Sequence, residues 1–384
     1  MEVYFDNSAT TRCYDSVKDI VVKAMTEDFG NPSAMHLKGV EAEKYIKSSA
    51  ESLARLLKVQ EKEILFTSGG TESDNLALIG AAFANKRSGN HIITTSVEHP
   101  AVSQPALFLQ EQGFEVTYLP VDSRGVVKMD ALKAVLREDT ILVSVMYVNN
   151  EVGAVMPVEE IAALVHEKSP KALFHVDAIQ AFGKYRISPK KMGIDLLSVS
   201  GHKIHGPKGV GFLYINEKAK IQPQILGGGQ QGGMRSGTDN VPGIAGLGAA
   251  AVEIYKNLEE NVENMYRLKE HIAQGLEKIG DIRINGMDLR EGAPQILSIS
   301  VMGVRSEVLL HSLEERGIYV SAGSACSSHK RKPSATLAAM GMSKDQIEST
   351  VRLSFCEENT IEEADYFLQV MGELVPMLRR YSRR

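Results

Sequence analysis

Between residues 60 and 216, seven short runs of β-branched or apolar residues, EILFT, HIITTS, FEVTYL, TILVSVMYV, ALFHVD, DLLSVS and VGFLYI, alternate with amphipathic stretches. Alternation of this kind leaves few folds open. Strands joined by helical connections build a mainly parallel sheet with helices on both faces, here a seven-stranded one. One connection, PVEEIAALVHEK, opens at Pro157 and places Glu159 and Glu160 in its first turn, where the helix dipole favours negative charge. Upstream, DSVKDIVVKAM and VEAEKYIKSSAESLARLLK repeat apolar residues at helical spacing (Val17, Ile20, Val21, Ala24) and predict helices packed on the sheet. From about Gly243 the pattern changes. It reads as one long helical run through Ile279, then strands ILSISV, IYVSA and VRLSF interleaved with helices such as SEVLLHSLEERG, closing on TIEEADYFLQVMGELVPMLRRY and a basic tail. A chain of 384 residues exceeds what one core usually supports. The expectation is an α/β large domain over 13–256 and a smaller α+β C-terminal domain over 257–384 that takes in residues 1–12.

Composition excludes several classes of function. With 43% hydrophobic and 24% charged residues the chain is a folded globular protein, and its formal net charge of -5 opposes a general nucleic-acid or anionic-membrane surface. The start, MEVYFDNSATTRCYDS, has neither the basic nor the apolar region of a secretory signal, and the longest apolar stretch, Ile244 to Val252, is too short to cross a bilayer. Three cysteines, Cys13, Cys326 and Cys356, are an odd number that suits free thiols in a reducing compartment. These features predict a cytoplasmic protein whose partners are small molecules or proteins.

The chemistry gathers at strand ends. FHVD followed by AIQ leaves Asp177 at a strand terminus and Gln180 one turn later, at the edge where open α/β sheets bind ligands. DLLSVSGHKIHGPKGVG runs an apolar strand into Ser200, Gly201, His202 and Lys203. A lysine at such an exit can form a Schiff base with a carbonyl cofactor, and an acid nearby can hold a pyridinium nitrogen; pyridoxal phosphate needs both. ILFTSGGTESDNLAL joins a strand to a helix through Gly69, Gly70 and Thr71, a turn suited to a phosphate on the helix start, and SVEHP presents His99 before Pro100. His202 and His205, three apart, suggest a metal pair. No Cys or carboxylate completes a set at ligand spacing, so no metal is expected.

In their order, the motifs FDNSATT, TSGGTESDN, EHPAV, VNNEVG, HVDAIQA, SGHKIHGPKG, GGGQQGGMRSGTDN, SAGSACSS and VRLSF resemble a cysteine desulfurase of the NifS/IscS family, within the class-V aminotransferase group of fold-type I pyridoxal-phosphate enzymes. The resemblance covers nearly the whole chain. It implies that Lys203 carries pyridoxal 5'-phosphate as a Schiff base, that Asp177 pairs with the pyridinium nitrogen, that Gln180 bonds the phenolic oxygen and that His99 stacks over the ring. It implies phosphate contacts from Gly70, Thr71, Ser200 and His202, with Thr238 reaching the phosphate of a neighbouring protomer in a homodimer. Asn150 would touch cofactor and substrate, and Arg352 would grip the substrate carboxylate.

The resemblance further implies that Cys326 is the nucleophile that takes sulfur from L-cysteine as a persulfide and passes it to a protein acceptor such as an iron–sulfur scaffold, leaving L-alanine. The basic, polar segment SSHKRKP that follows predicts a mobile loop. Cys13 and Cys356 read as inert core residues. A selenocysteine lyase, or a cysteine lyase releasing free sulfide, would share the cofactor residues and differ in its need for Cys326.

Overall fold

The computed structural model describes residues 1–322 and 333–382. A short strand β1 (Val3–Tyr4) precedes the strands of the main sheet: β2 (Ile64–Thr67), β3 (His91–Thr95), β4 (Glu115–Leu119), β5 (Thr140–Met146), β6 (Leu173–Asp177), β7 (Leu196–Ser200) and β8 (Gly211–Ile215). Five more follow: β9 (Ile282–Asn285), β10 (Ile296–Val301), β11 (Ile318–Tyr319), β12 (Ser321–Ala322) and β13 (Thr350–Ser354). All seven runs read from the sequence between residues 60 and 216 are strands of one sheet, ordered β2-β8-β7-β6-β5-β3-β4. β8 alone runs against the others, pairing antiparallel with β2 and β7. The carboxyl ends of the other six therefore open on a single edge.

β5 shows why this sheet forms. All seven residues of TILVSVM are buried, which is the near-continuous apolar pattern of a strand covered on both faces. One face packs under helices Val158–Lys168 and Val241–Lys256 through Val143, Val145, Phe174, Val176, Ile161 and Leu247. The other is covered by the helix that starts at Gly70, through Leu76, Ala77 and Ala81, together with Val102 and Leu109. Helices Asp15–Thr26 and Leu37–Leu57 lie chiefly on Val241–Lys256, so they form an outer layer with their closest contacts to another helix.

A second core joins the ends of the chain. β10 sits between β9 and β13 in a four-stranded antiparallel sheet, with β12 on the far side of β13, and β1 pairs in parallel with β11. Val3 and Phe5 are buried there with Leu268, Ile272, Phe355, Phe367 and Met371. Two readings of this region are corrected. The run from Gly243 to Ile279 is two helices, Val241–Lys256 and Leu258–Glu277, broken at Asn257 (φ -121°, ψ 37°). The first half packs Ala250, Ala251 and Ile254 into the large core, and the second packs Leu268, Ile272 and Leu276 into the small one. A continuous rod could not serve both. β9 escaped the sequence because an edge strand with half-exposed residues leaves no clean alternation.

Phe5 is fully buried and meets Phe355 and Phe367 edge-on, at centroid distances of 5.2 and 6.0 Å. Phe5→Ala is expected to cost about 3–5 kcal/mol of stability, read as a lower midpoint in urea unfolding.

Candidate active site

Asp177 is the last residue of β6, and its carboxyl is 4% exposed with Oδ1 accepting the Ile179 N–H at 2.9 Å. Burial pushes its pKa up to about 6, while the Ile179 N–H and the Lys203 charge pull it down. One turn on, Gln180 Nε2 donates to the Ser8 carbonyl at 3.0 Å. Lys203 closes a single 3-10 turn, Gly201–Lys203, directly after β7. Its Nζ donates to the carbonyls of Ser8 (2.5 Å) and Ala9 (2.7 Å), and its own carbonyl accepts from the buried Lys184 Nζ at 3.1 Å. These contacts bring the amine and Asp177 to one cavity.

The turn after β2 has its backbone fixed by glycine. Gly69 sits at φ +146°, a conformation that side chains disfavour, and a Cβ on Gly70 would come within 2.1 Å of Ile179 Cδ1. Gly211 on β8 passes so close that a Cβ there would lie 2.8 Å from Gly69 Cα and 2.4 Å from the Val199 carbonyl. Helix Gly70–Asn75 continues through a π-type turn, Leu76–Gly80, into Ala81–Asn85, so the N–H groups at Gly70 and Thr71 head a long helical segment. Ser200 and His202 face this helix start across the cavity.

His99 is the N-cap of helix Pro100–Glu111, with Nδ1 accepting the Ala101 N–H at 3.1 Å. The proton of the neutral ring is therefore on Nε2. Burial first, then the Lys203 charge, lowers the pKa of His99 to about 4, and His202 is lowered to about 4 for the same reasons.

On β13, Arg352 is 4% exposed. Its Nη1 donates to the Asn150 carbonyl and Nη2 to Asp6 Oδ1, each at 2.7 Å, while its buried Nε has no hydrogen-bond partner among the described residues. Arg352, Asn150, His99, Thr71, Gly70, Asp177, Gln180, Ser200, His202 and Lys203 all line one cavity of about 240 Å³. Thr238 is exposed and lines neither this cavity nor the opening beside the Gly70 turn. Cys326 lies outside the described residues. Sequence reasoning missed Ser8 and Ala9, which contribute backbone carbonyls; their only signal was the FDNSATT motif.

The histidine reading needs a correction. The fold carries Cys356 and Glu357 to His205, and one ligand atom from each lies within 4.8 Å of the others. No spacing rule could reveal a partner 150 residues away. The Glu357 anion faces His205, the Tyr14 hydroxyl and Lys184, which together hold its pKa near 2, and Tyr14 stacks on His205 at 4.3 Å. Cys356 is buried, with its thiol pKa pushed up to about 12, first by burial. Cys13 is part-buried and donates to the Gly206 carbonyl. Both are free thiols.

The aminotransferase class-V family model matches residues 3–367. This chain belongs to the class-V aminotransferase family. It is 44% identical over 380 residues to the cysteine desulfurase IscS of Methanosarcina thermophila, across 99% of this chain and 93% of that protein. It is 42% identical over 381 residues to a cysteine desulfurase of Nostoc, across 99% and 94%. A solved NifS-like protein superposes with a TM-score of 0.93 at 42% identity, covering 98% of this chain and all of that one. The structure of SspA in complex with cysteine gives 0.82 at 32% identity, over 94% of this chain and all of that one.

Class-V aminotransferases depend on pyridoxal phosphate, and the cavity fits it on three independent observations. An amine and a buried acid share the cavity, matching an aldehyde and a ring nitrogen. The helix start at Gly70 and Thr71 lines the cavity with backbone N–H groups that no earlier turn occupies, matching a phosphate. The capping histidine is neutral, as a group stacked on a cationic ring should be. Because its folded pKa of about 4 lies below the ordinary 6.5, His99 should gain charge only as the pH falls toward 4. Histidine NMR between pH 8 and 5 is expected to show no titration of the His99 ring.

Proposed function

We propose that this protein is a cysteine desulfurase that removes sulfur from L-cysteine, releases L-alanine and holds the sulfur as a persulfide on Cys326. The observation that carries the reading is the meeting of Lys203, Asp177 and Arg352 in one cavity, in a chain more than 40% identical to cysteine desulfurases along almost its full length. SspA, solved with cysteine, has the same fold, which supports the choice of substrate.

Bound pyridoxal phosphate supplies an electron sink that stabilises negative charge at the substrate α-carbon. The protein supplies the rest. Lys203 Nζ would hold the cofactor and, as a free amine, is the base placed to take the α-proton. Asp177 stays ionised against the ring nitrogen, and Gln180 orients the phenolic oxygen. Gly70, Thr71, Ser200 and His202 hold the phosphate, with Thr238 of a second subunit completing that site in a homodimer. Arg352 takes the substrate carboxylate, and its buried Nε, unpartnered here, is the donor that a carboxylate would satisfy. Asn150 fixes the substrate beside the ring. His99, neutral with its proton on Nε2, carries protons to and from the sulfur atoms.

Cys326 attacks the substrate sulfur as the thiolate. The carbon–sulfur bond breaks, its electron pair returns to the substrate carbon and is protonated to give alanine, and the sulfur remains on Cys326. An acceptor thiol then takes it, and an iron–sulfur scaffold protein is the acceptor we favour. Three cysteines, none paired among the described residues, suit cytoplasmic work, and no described helix is long and apolar enough to cross a membrane.

Cys326→Ala is expected to keep the visible absorbance of the bound cofactor and to lose sulfur transfer by at least ~100-fold. Supplying cysteine, trapping thiols by alkylation and locating the added sulfur by mass spectrometry tests the site directly; sulfur on another residue, or undiminished transfer by the variant, ends the assignment. Arg352→Lys is expected to raise KM for cysteine by roughly 10-fold or more, since an ammonium cannot make the two-pronged contact. The cofactor absorbance, measured in parallel, should not change.

A further inference from the structure

Behind Asp177 the protein buries two further acids. Asp74, on helix Gly70–Asn75, is 0% exposed, and among the described residues neither carboxyl oxygen has a hydrogen-bond partner of good geometry. Beside it are His175, whose Nε2 lies 3.5 Å from Asp74 Oδ1, and the Ser198 hydroxyl, which lowers its pKa. His175 stands two residues before Asp177 on β6, so both side chains leave the same face of the sheet. Its ring bridges two strands, with Nδ1 at 2.8 Å from Ser144 Oγ and Nε2 at 2.9 Å from Ser198 Oγ. Glu98 reaches the region from the turn before helix Pro100–Glu111. Its Oε1 accepts from the Thr95 hydroxyl at 2.6 Å and the Met146 N–H at 3.0 Å, while Oε2 is buried without a partner.

Three buried carboxyls thus lie close enough that each raises or is raised by another. Among the described residues the cation acting on the group is Lys203, and it acts on Asp177. A carboxylate at Asp74 would have at most the Ser198 hydroxyl as a donor and no countercharge, which a buried site strongly disfavours. His175 does not supply the charge, because burial lowers its pKa to about 3 and leaves the imidazole neutral. Protonation resolves the conflict: the acid O–H becomes a donor to the acceptors that already surround it. Burial also raises Glu98 to about 8, so it too is largely uncharged near neutrality.

We propose that Asp74 is a positioning residue held as the neutral carboxylic acid, donating into the Ser198–His175–Ser144 row and leaving Asp177 as the single anion against the cofactor ring nitrogen. The role toward the ring rests on the cofactor reading above; the protonation state of Asp74 does not. A second anion beside Asp177 would compete for the charge that the ring nitrogen supplies. Neutral Asp74 instead fixes the hydroxyls and imidazole beneath Asp177 while adding no field of its own.

Infrared difference spectra of wild-type and Asp74→Asn holoenzyme at neutral pH test this. The expected result is loss of a protonated-carboxyl carbonyl band; loss of a carboxylate band in its place overturns the proposal. Because Asn is also neutral and a donor, the visible-absorbance pH titration of the bound cofactor should stay within about 0.5 pH unit of wild type; a larger shift, as removal of a nearby anion produces, overturns it. If Asp74→Asn does not fold, NMR of the ¹³C-aspartate-labelled wild-type protein reads the Asp74 carboxyl directly. Its carboxyl carbon is expected at the chemical shift of a protonated acid at neutral pH, and the shift of a carboxylate overturns the assignment. The infrared and NMR measurements are made on the cofactor-free protein as well. There they answer for Asp74 whether or not the holoenzyme shows a cofactor band, which separates failure of this proposal from failure of the cofactor reading.

Discussion

The carbonyl of Ser8 accepts hydrogen bonds from both Lys203 Nζ and Gln180 Nε2, and most of the site's geometry follows from how that carbonyl is held. The Ser8 N–H donates to Ser354 Oγ at 2.8 Å, and the neighbouring Asn7 side chain donates to the Ser354 carbonyl at 3.1 Å. Three residues on, the Thr11 N–H and hydroxyl both reach the His202 carbonyl, at 2.9 and 3.0 Å, and Thr11 Oγ1 accepts from the His205 N–H. Residues 6–11 are therefore clamped between β13 on one side and the lysine-bearing turn on the other. Asp6 at the start of the clamp pairs with Arg352, so the arginine and the lysine are located by the same few residues of chain. Shifting this segment would move both at once.

That arrangement explains what could be read from the sequence. Asp177 and Lys203 were legible because each ends an apolar run, and a polar residue at the carboxyl end of a buried parallel strand has few roles other than meeting a ligand. Gly69 and Gly70 were legible because strand-to-helix turns need glycine where the backbone takes a positive φ or passes close to a neighbour. The seven strands were legible since a doubly covered sheet writes long apolar runs such as TILVSVM. Ser8 and Ala9 were not, because their contribution is a backbone carbonyl, which every residue possesses. Asp74 was hidden inside TESDN, where a polar helix start conceals which residue turns inward. The meeting of His205 with Cys356 and Glu357 depends on the fold closing over 150 residues of chain, and the break at Asn257 depends on two cores pulling one helical pattern apart.

The same site shows what function costs in stability. Large α/β cores usually exclude charge, yet this one buries Asp177, Asp74, His175, Lys184 and the Lys203 region along one edge of its sheet. Hydrophobic replacements of similar size would pack as well and remove several desolvation penalties. The protein instead satisfies these groups piecemeal, through Ile179 N–H for Asp177, two serines for His175 and the Lys203 carbonyl for Lys184. Each satisfaction is local and geometric, so the edge is rigid.

Rigidity of that kind suits only half of a sulfur-transfer reaction. In the proposed mechanism the steps at the substrate α-carbon need Lys203 Nζ, Asp177 and Arg352 held in fixed relation, because small displacements of positioned groups cost rate steeply. Delivery of sulfur to another protein needs the opposite, a nucleophile able to serve two places. The clamp on residues 6–11 supplies the fixed relation through Ser8, which holds Lys203, and Asp6, which holds Arg352. Cys326 is joined to it on one side by β12, whose Ser321 pairs with Arg352 on β13, and on the other by Ser334, which bonds the Glu151 carboxyl next to Asn150. Both attachments of the cysteine segment thus rest on residues beside the substrate groups themselves.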